Sequence, residues 1–254
     1  MKRLIFFGVV FFGLLKPAQA LQIKHFMKTS IGPFDACEQT LIYGFFNNKD
    51  YDVKTTISTA GVFGTLYPFS GMYHAVGTYH KDTFKPQDYF TKTKSFTHKR
   101  TKELFYENGV PQYRVSTKNE KTRRDAVILD EKYGQSADLL SVFGMLIEQI
   151  NRTGNCDFER YSFNGKRYGL SKIKTLGKEK IKTDFFAGKA LKCQYYLENA
   201  DGGDAGFMLS KDEPVYFWAL KDSKTGAYFL AQVVVESTPF GKLESITTNI
   251  EVTK

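Results

Sequence analysis

One stretch of this chain, Ser136–Arg152 (SADLLSVFGMLIEQINR), repeats its apolar residues at helical spacing, while the rest reads as strands. Leu139, Leu140, Val142, Phe143, Leu146, Ile147 and Ile150 cover most of its circumference. Ser141, Gly144, Glu148 and Asn151 leave a narrow polar stripe. Such a helix has to be covered on two sides. Ser136 reads as its N-cap, Asp138 as an acidic residue of the first turn, and Gly154 as its stop. The expected fold is therefore mainly β: a large curved antiparallel sheet or half-open barrel packed around one central α-helix.

Before the helix, strands are expected at Ile23–Lys28, Glu38–Phe46, Tyr51–Thr59, Met72–His80, Tyr89–Phe96, Lys99–Tyr106 and Gln112–Thr117. Gly32-Pro33 and Asn108-Gly109 mark turns. The glycine- and aromatic-rich run Gly61–Gly77 suggests bulges or a bent edge beside a cavity. After the helix, Phe158–Phe163 and Arg167–Lys174 flank Asn164-Gly165, the best hairpin signal in the chain. Further strands are expected at Lys178–Phe185, Ala190–Leu197, Val215–Leu220, Tyr228–Glu236 and Leu243–Val252.

The first 20 residues combine Lys2 and Arg3, an apolar run from Leu4 to Leu15, and Ala18-Gln19-Ala20, the pattern of a cleaved export signal. The run is short for a membrane span, which needs roughly 20 apolar residues. Leu21 stands where lipid attachment would need a cysteine. Cleavage after Ala20 would lower the net charge from +9 to +6 and leave residues 21–254 as a single β-rich domain without a stable membrane span. The expected location is the periplasm. No internal repeat or low-complexity linker interrupts the chain.

The exported part keeps Cys37, Cys156 and Cys193. In an oxidising compartment two of the three are expected to pair. Cys156 with Cys193 is the preferred pair, because one opens a predicted strand pair and the other sits two elements later. A bridge across that separation would add roughly 3–4 kcal/mol by loop-closure entropy. Cys37 is left as a buried free thiol or a reactive, partner-bonding one.

Catalytic signatures are missing. His25, His74, His80 and His98 form no HExxH or HxH spacing, and no cysteine has a further metal ligand at finger spacing. There is no GxSxG elbow, no phosphate loop and no GxGxxG opening a helix. Asp201-Gly202-Gly203-Asp204 lacks the alternating acidic ligands of a calcium loop and reads as a turn. No catalytic residue, metal site or cofactor is expected. Glu103 with Glu107 is the carboxylate pair that a hydrolase of envelope glycan or lipid would draw on, although plain strand surface charges are the much stronger reading of them.

Basic residues fall into two groups. Lys172, Lys174, Lys178, Lys180 and Lys182 step by two, as on one solvent face of a strand. Lys118, Lys121, Arg123 and Arg124 cluster in the expected loop before the helix, and His98, Lys99, Arg100 and Lys102 in a strand. Together these are the candidate contacts for an anionic surface such as lipid headgroups. Aromatics do not interleave with them as nucleic-acid stacking requires.

Four pieces of this sequence resemble a family of exported bacterial proteins, the domain of unknown function DUF3108. Tyr51-Asp52-Val53 runs through Ala60-Gly61-Val62 to Phe69-Ser70-Gly71, and then Lys85-Pro86-Gln87-Asp88-Tyr89. Ala137-Asp138-Leu139-Leu140-Ser141 is similar to the family's helix opening. Asn155-Cys156-Asp157, Phe163-Asn164-Gly165-Lys166-Arg167-Tyr168 and Ala190-Leu191-Lys192-Cys193 are similar to its hairpin and its later cysteine strand. Pro214-Val215-Tyr216-Phe217-Trp218 and Pro239-Phe240-Gly241-Lys242-Leu243 match the closing strands. The likeness covers about residues 50–252 and implies an antiparallel β-fold, export to the periplasm and support for the 156–193 bridge. It implies no activity, cofactor or catalytic residue.

The functional expectation is a non-enzymatic envelope protein that binds lipid or lipoprotein acyl chains in an apolar cleft. The alternatives are a structural or protein-interaction module of the envelope and the hydrolase named above.

Overall fold

Alternation from Leu21 onward becomes one continuous antiparallel sheet in the computed structural model, which describes residues 21–46, 49–80, 83–127, 133–165, 167–199 and 214–253. The expected export signal and the Asp201–Asp204 turn lie outside the described residues. The first half contributes β1 (Leu21–Ile31), β2 (Phe34–Phe46), β3 (Asp50–Thr59), helix α1 (Gly61–Leu66), β4 (Phe69–His80), β5 (Thr83–Ser95), β6 (Lys99–Glu107), β7 (Val110–Lys118) and β8 (Lys121–Ala126). Helix α2 (Leu139–Thr153) follows, then β9 (Phe158–Phe163), β10 (Tyr168–Lys182), β11 (Ala187–Asn199), β12 (Val215–Lys221), β13 (Tyr228–Val235) and β14 (Leu243–Thr253). The 14 strands run in the order β8 to β1, then β14 to β9, so the chain's two ends pair in the middle. Ile23 lies opposite Val252 and Ile31 opposite Leu243.

The ribbon curls until its free edges approach one another. Lys102 donates its Nζ to Asn164 O at 2.7 Å, and Arg114 donates to Gly165 O, tying β6 and β7 to the β9–β10 turn. Ala137, on the approach to α2, bridges β9: its N–H reaches Tyr161 O at 3.2 Å, and its carbonyl accepts from Phe163 N at 2.8 Å.

That bridge sets the start of α2. Ala137 must stay extended to pair with β9, so the helix cannot begin at Ser136, whose Oγ is turned to Tyr133 O at 2.6 Å. Asp138 is the N-cap instead, accepting from Leu140 N at 3.0 Å and Ser141 N at 2.8 Å. Gly154, at φ 73°, ends the helix as expected.

The polar stripe turns toward the sheet. Ser141 is buried with its Oγ 2.8 Å from Tyr51 Oη, Asn151 Oδ1 accepts from Tyr228 N at 2.8 Å, and a Cβ on Gly144 would stand 3.0 Å from a Val53 methyl. The stripe is thus a contact line. Leu139, on the expected apolar circumference, is the residue left out, 42% exposed.

The helix fills the concave face of the sheet. Met145, Leu146, Ile147 and Ile150 pack against Ile23, Tyr43, Val53, Ile173, Leu191 and Phe217. Cys156 and Cys193 form a disulfide inside this core, across 37 residues of sequence. A third cluster, with Trp218, Leu220, Phe229 and Ala231, is built from neighbours of those residues. Consecutive strand residues point to opposite faces, so the run Phe217-Trp218-Ala219-Leu220, buried throughout, is covered on both.

Four other expectations need correction. Gly61–Leu66 is a short helix, α1, and the bulge facing this run, opposite Val76 and Gly77, takes its extra residue, Gln87, from β5. Arg167–Lys174 and Lys178–Phe185 merge into one strand, β10, with a bulge between Thr175 and Gly177. That extra residue reverses the alternation. Lys172 and Lys174 share a face with Lys192 and Glu179, whereas Lys178, Lys180 and Lys182 share the opposite face with Leu191, so the five do not form one stripe.

Lys121–Ala126, expected as loop, is strand β8. It carries no apolar alternation for a sequence reading to detect.

Candidate functional site

Across β1 to β7, the face turned away from α2 forms a groove of about 1650 Å³. Strand register lays two complete rows of side chains along it. The first is Phe26, Thr40, Thr56, Met72, Lys92, Thr101 and Thr117, each opposite the next on the neighbouring strand. The second, one step along, is Lys28, Glu38, Ser58, Ser70, Lys94 and Lys99. Asn119 extends it, its Oδ1 accepting from Lys99 N at 3.1 Å.

The lining follows from the alternation. In β3 to β5 Val53, Thr55, Ala75 and Thr91, on the face turned to α2, are buried, and most of the intervening residues are polar. Basic side chains at the groove, Lys28, Lys92, Lys94 and Lys99, outnumber the acidic Glu38 and Glu120. Phe26, Met72 and Phe96, the threonine methyls and the lysine stems supply apolar surface between the charges. The groove can therefore hold an anion and an adjoining hydrocarbon together. Sequence reading placed a cavity beside Gly61–Gly77, and Gly71 does line this one. It did not place one across the solvent side of seven strands, because such a trough depends on how the sheet coils.

Beneath α2 lies a buried polar centre. Asp138 is fully buried, with Ser141 Oγ donating to its carboxyl at 2.6 Å, and burial pushes that carboxyl up to about 6 despite these hydrogen bonds. Tyr51, Tyr89 and Tyr106 face it, their hydroxyls raised first by burial and then by the Asp138 charge. His25, enclosed between the rings of Tyr43 and Phe229 at 5.2 and 6.0 Å, is pushed down to about 4 by burial. Asp138, Ser141 and Tyr51 are joined by hydrogen bonds here, whereas His25, Tyr89 and Tyr106 are held by burial.

Of the residues expected to meet an anionic surface, the four placed before the helix, Lys118, Lys121, Arg123 and Arg124, separate. Arg123 and Arg114 both bind Asp125 at 2.5 Å, and hydrogen bonding to Arg114 first, then Arg123, holds that carboxyl below its usual range. Arg124 stacks over Tyr113 at 4.0 Å on the other face. Lys118 and Lys121 lie directly opposite each other at the β7–β8 tip, both exposed, and Arg100 lies opposite Lys118.

Glu103 and Glu107 sit four residues apart in β6, which spaces them by roughly 13 Å along the strand and leaves no carboxylate pair. Cys37 is the free cysteine, partly buried, its thiol raised by burial with a Thr29 hydrogen bond opposing. Among the described residues no group of three His, Cys, Asp or Glu side chains is placed to hold a metal ion. None of their helices is long and apolar enough to cross a membrane.

An open antiparallel sheet curled around a helix is a β-barrel-like architecture. It is shared with a solved structure described as a beta-barrel-like protein of Domain of Unknown Function DUF1849 from Brucella abortus. The match covers 92% of this chain and 98% of that one with a TM-score of 0.54, and at 8% identity the likeness is one of fold alone. Residues 38–246 match the family model described as Protein of unknown function (DUF3108), and the chain belongs to that family. No curated protein matches it.

Proposed function

We propose that this protein is a non-enzymatic binding protein of the bacterial envelope, working in the periplasm, whose groove takes an anionic amphiphile such as an acidic phospholipid or glycolipid. The observation that carries this reading is the composition of the groove: lysines in both cross-strand rows, with aromatic, Met and threonine-methyl surface between them. Pockets for small ligands commonly measure ~300–1000 Å³, so this one has room for a headgroup with part of its chain. The apolar cleft expected beside the helix is occupied by α2 itself, which moves the ligand to the other face of the sheet. The buried disulfide fits an oxidising compartment.

Calorimetric titration with dihexanoyl phosphatidylglycerol, below its micelle concentration, tests the reading. Saturable binding is expected, with Lys92→Glu weakening it about ten-fold, the loss of one charge-assisted hydrogen bond. The matching phosphatidylcholine should bind more weakly by a similar factor. Absence of saturable binding, or equal binding of the two lipids, would overturn the proposal.

A further inference from the structure

Antiparallel pairing gathers the β1–β2, β5–β6, β7–β8 and β13–β14 turns, together with α1 between β3 and β4, at one end of the sheet. There Gly32 N donates to Lys242 O at 2.9 Å, and the Phe63 and Phe240 rings meet edge to face at 6.1 Å. This end is unusually apolar. Of the nine large hydrophobic side chains exposed among the described residues, six sit on it: Phe34, Val62, Leu66, Tyr67, Phe96 and Phe240. Phe96, at the β5–β6 tip, is 87% exposed, and α1 buries none of its residues. Scattered single apolar residues are normal on a surface, whereas a cluster of them marks an interaction site.

Charge says what kind. Lys94 lies directly opposite Lys99 on one face of this end, and Arg100, Lys118 and Lys121 stand in a cross-strand row on the other. Like charges directly opposed across strands are destabilising. All five are exposed, and no ion pair neutralises their side chains among the described residues. Asp35, Glu120, Glu236 and Glu244 are the acidic residues of these turns and their flanks.

We propose that this end of the sheet docks on an anionic phospholipid bilayer, with Phe34, Leu66, Tyr67, Phe96 and Phe240 entering the interface and the opposed lysines meeting the headgroups. Aromatic and aliphatic tips ringed by unneutralised cations fit the boundary between acyl chains and phosphate. A protein partner of the same size would leave the flanking cation rows unmatched unless it were equally acidic. The inference goes beyond the groove reading and does not depend on what the groove holds.

Cosedimentation with phosphatidylethanolamine–phosphatidylglycerol vesicles tests it. The protein should sediment with these vesicles at low salt, release as salt rises, and bind phosphatidylcholine vesicles at least ten-fold more weakly. Leu66→Glu with Tyr67→Glu should cut binding ten-fold or more. Lys118→Gln and Lys121→Gln should each cost about five-fold. Circular dichroism establishes that each variant is folded. In the titration with soluble dihexanoyl phosphatidylglycerol the α1 variant should behave as wild type, and Lys92→Glu should still sediment with vesicles, so the two readings fail separately. Wild-type protein that stays in the supernatant, or a folded α1 variant that binds as well as wild type, would overturn the proposal. So would a dimer in light scattering that the α1 substitutions dissolve without any vesicle binding, since the patch would then join two copies.

Discussion

Two parts of one sheet are built on opposite principles. β12 and β13 are buried on both faces, between the core that holds α2 and the cluster around Trp218 and Phe229. β6, β7 and β8 hold few buried side chains, Leu104 chief among them, and β8 has none. In the first region apolar burial, at roughly 25 cal/mol per Å², secures the fold, and a disulfide closes it. The second rests on backbone ladders, the Arg114–Asp125–Arg123 cluster and two side-chain links to the β9–β10 turn. Stability is concentrated in one and exposed charge in the other, which places the surface available for binding where the fold has least packing to lose.

The largest test of this division is the disulfide. Cys156→Ala with Cys193→Ala should lower unfolding free energy by about 4 kcal/mol, the loop-closure value for that separation, together with a fall in melting temperature. Hydrogen exchange should then show the loss in β10 to β13 and leave β6 to β8 at their already lower protection. If β6 to β8 lost protection first, the two regions would be a single cooperative unit.

A second test uses pH, because two buried groups oppose each other. Asp138, raised to about 6, is protonated more readily folded than unfolded, so its contribution to stability grows as pH falls from about 6 toward 4. His25, lowered to about 4, stays neutral when folded, so its contribution is present above about 6.5 and is lost as pH falls toward 4. In the wild type the two slopes offset one another. Asp138→Asn should leave a protein that loses stability on acidification through this window, and His25→Phe one that gains it, each by up to a few kcal/mol in urea unfolding midpoints. Parallel slopes in both variants would remove either group from the account.

The smallest effect concerns the latch between the sheet's edges. Arg114→Ala removes the donor to Gly165 O and the ion pair to Asp125, and should cost about 1–2 kcal/mol. Exchange should rise at Phe163–Tyr168 and in β8, with the disulfide-bearing half unchanged.

Much of the architecture was legible in the sequence. Helical periodicity marked α2, Gly154 marked its end, and asparagine-glycine steps marked two hairpins, with Asn108 at φ 53°, Gly109 at 83° and Gly165 at 85°. β8 escaped because Lys121–Ala126 has no apolar face, and because its turn is Asn119-Glu120, with glutamate at φ 70° where glycine would have signalled a hairpin. The Lys172–Lys182 stripe misled because one bulge reverses the faces, and composition does not mark that residue. The polar stripe on α2 was identified correctly but its direction was not, since Ser141, Gly144 and Asn151 contact the sheet.

The sequence by itself determined the elements: a long alternating chain, one apolar helix and a cysteine pair whose positions suit a bridge. Alternation and helical period are local properties, written in neighbouring residues. Only the tertiary structure decided that Asp138 rather than Ser136 caps α2, that Lys94 faces Lys99, and that six exposed apolar side chains from separate segments share one end. Each of those depends on register and on the coil of the whole sheet, which arise from pairings between residues distant in the chain.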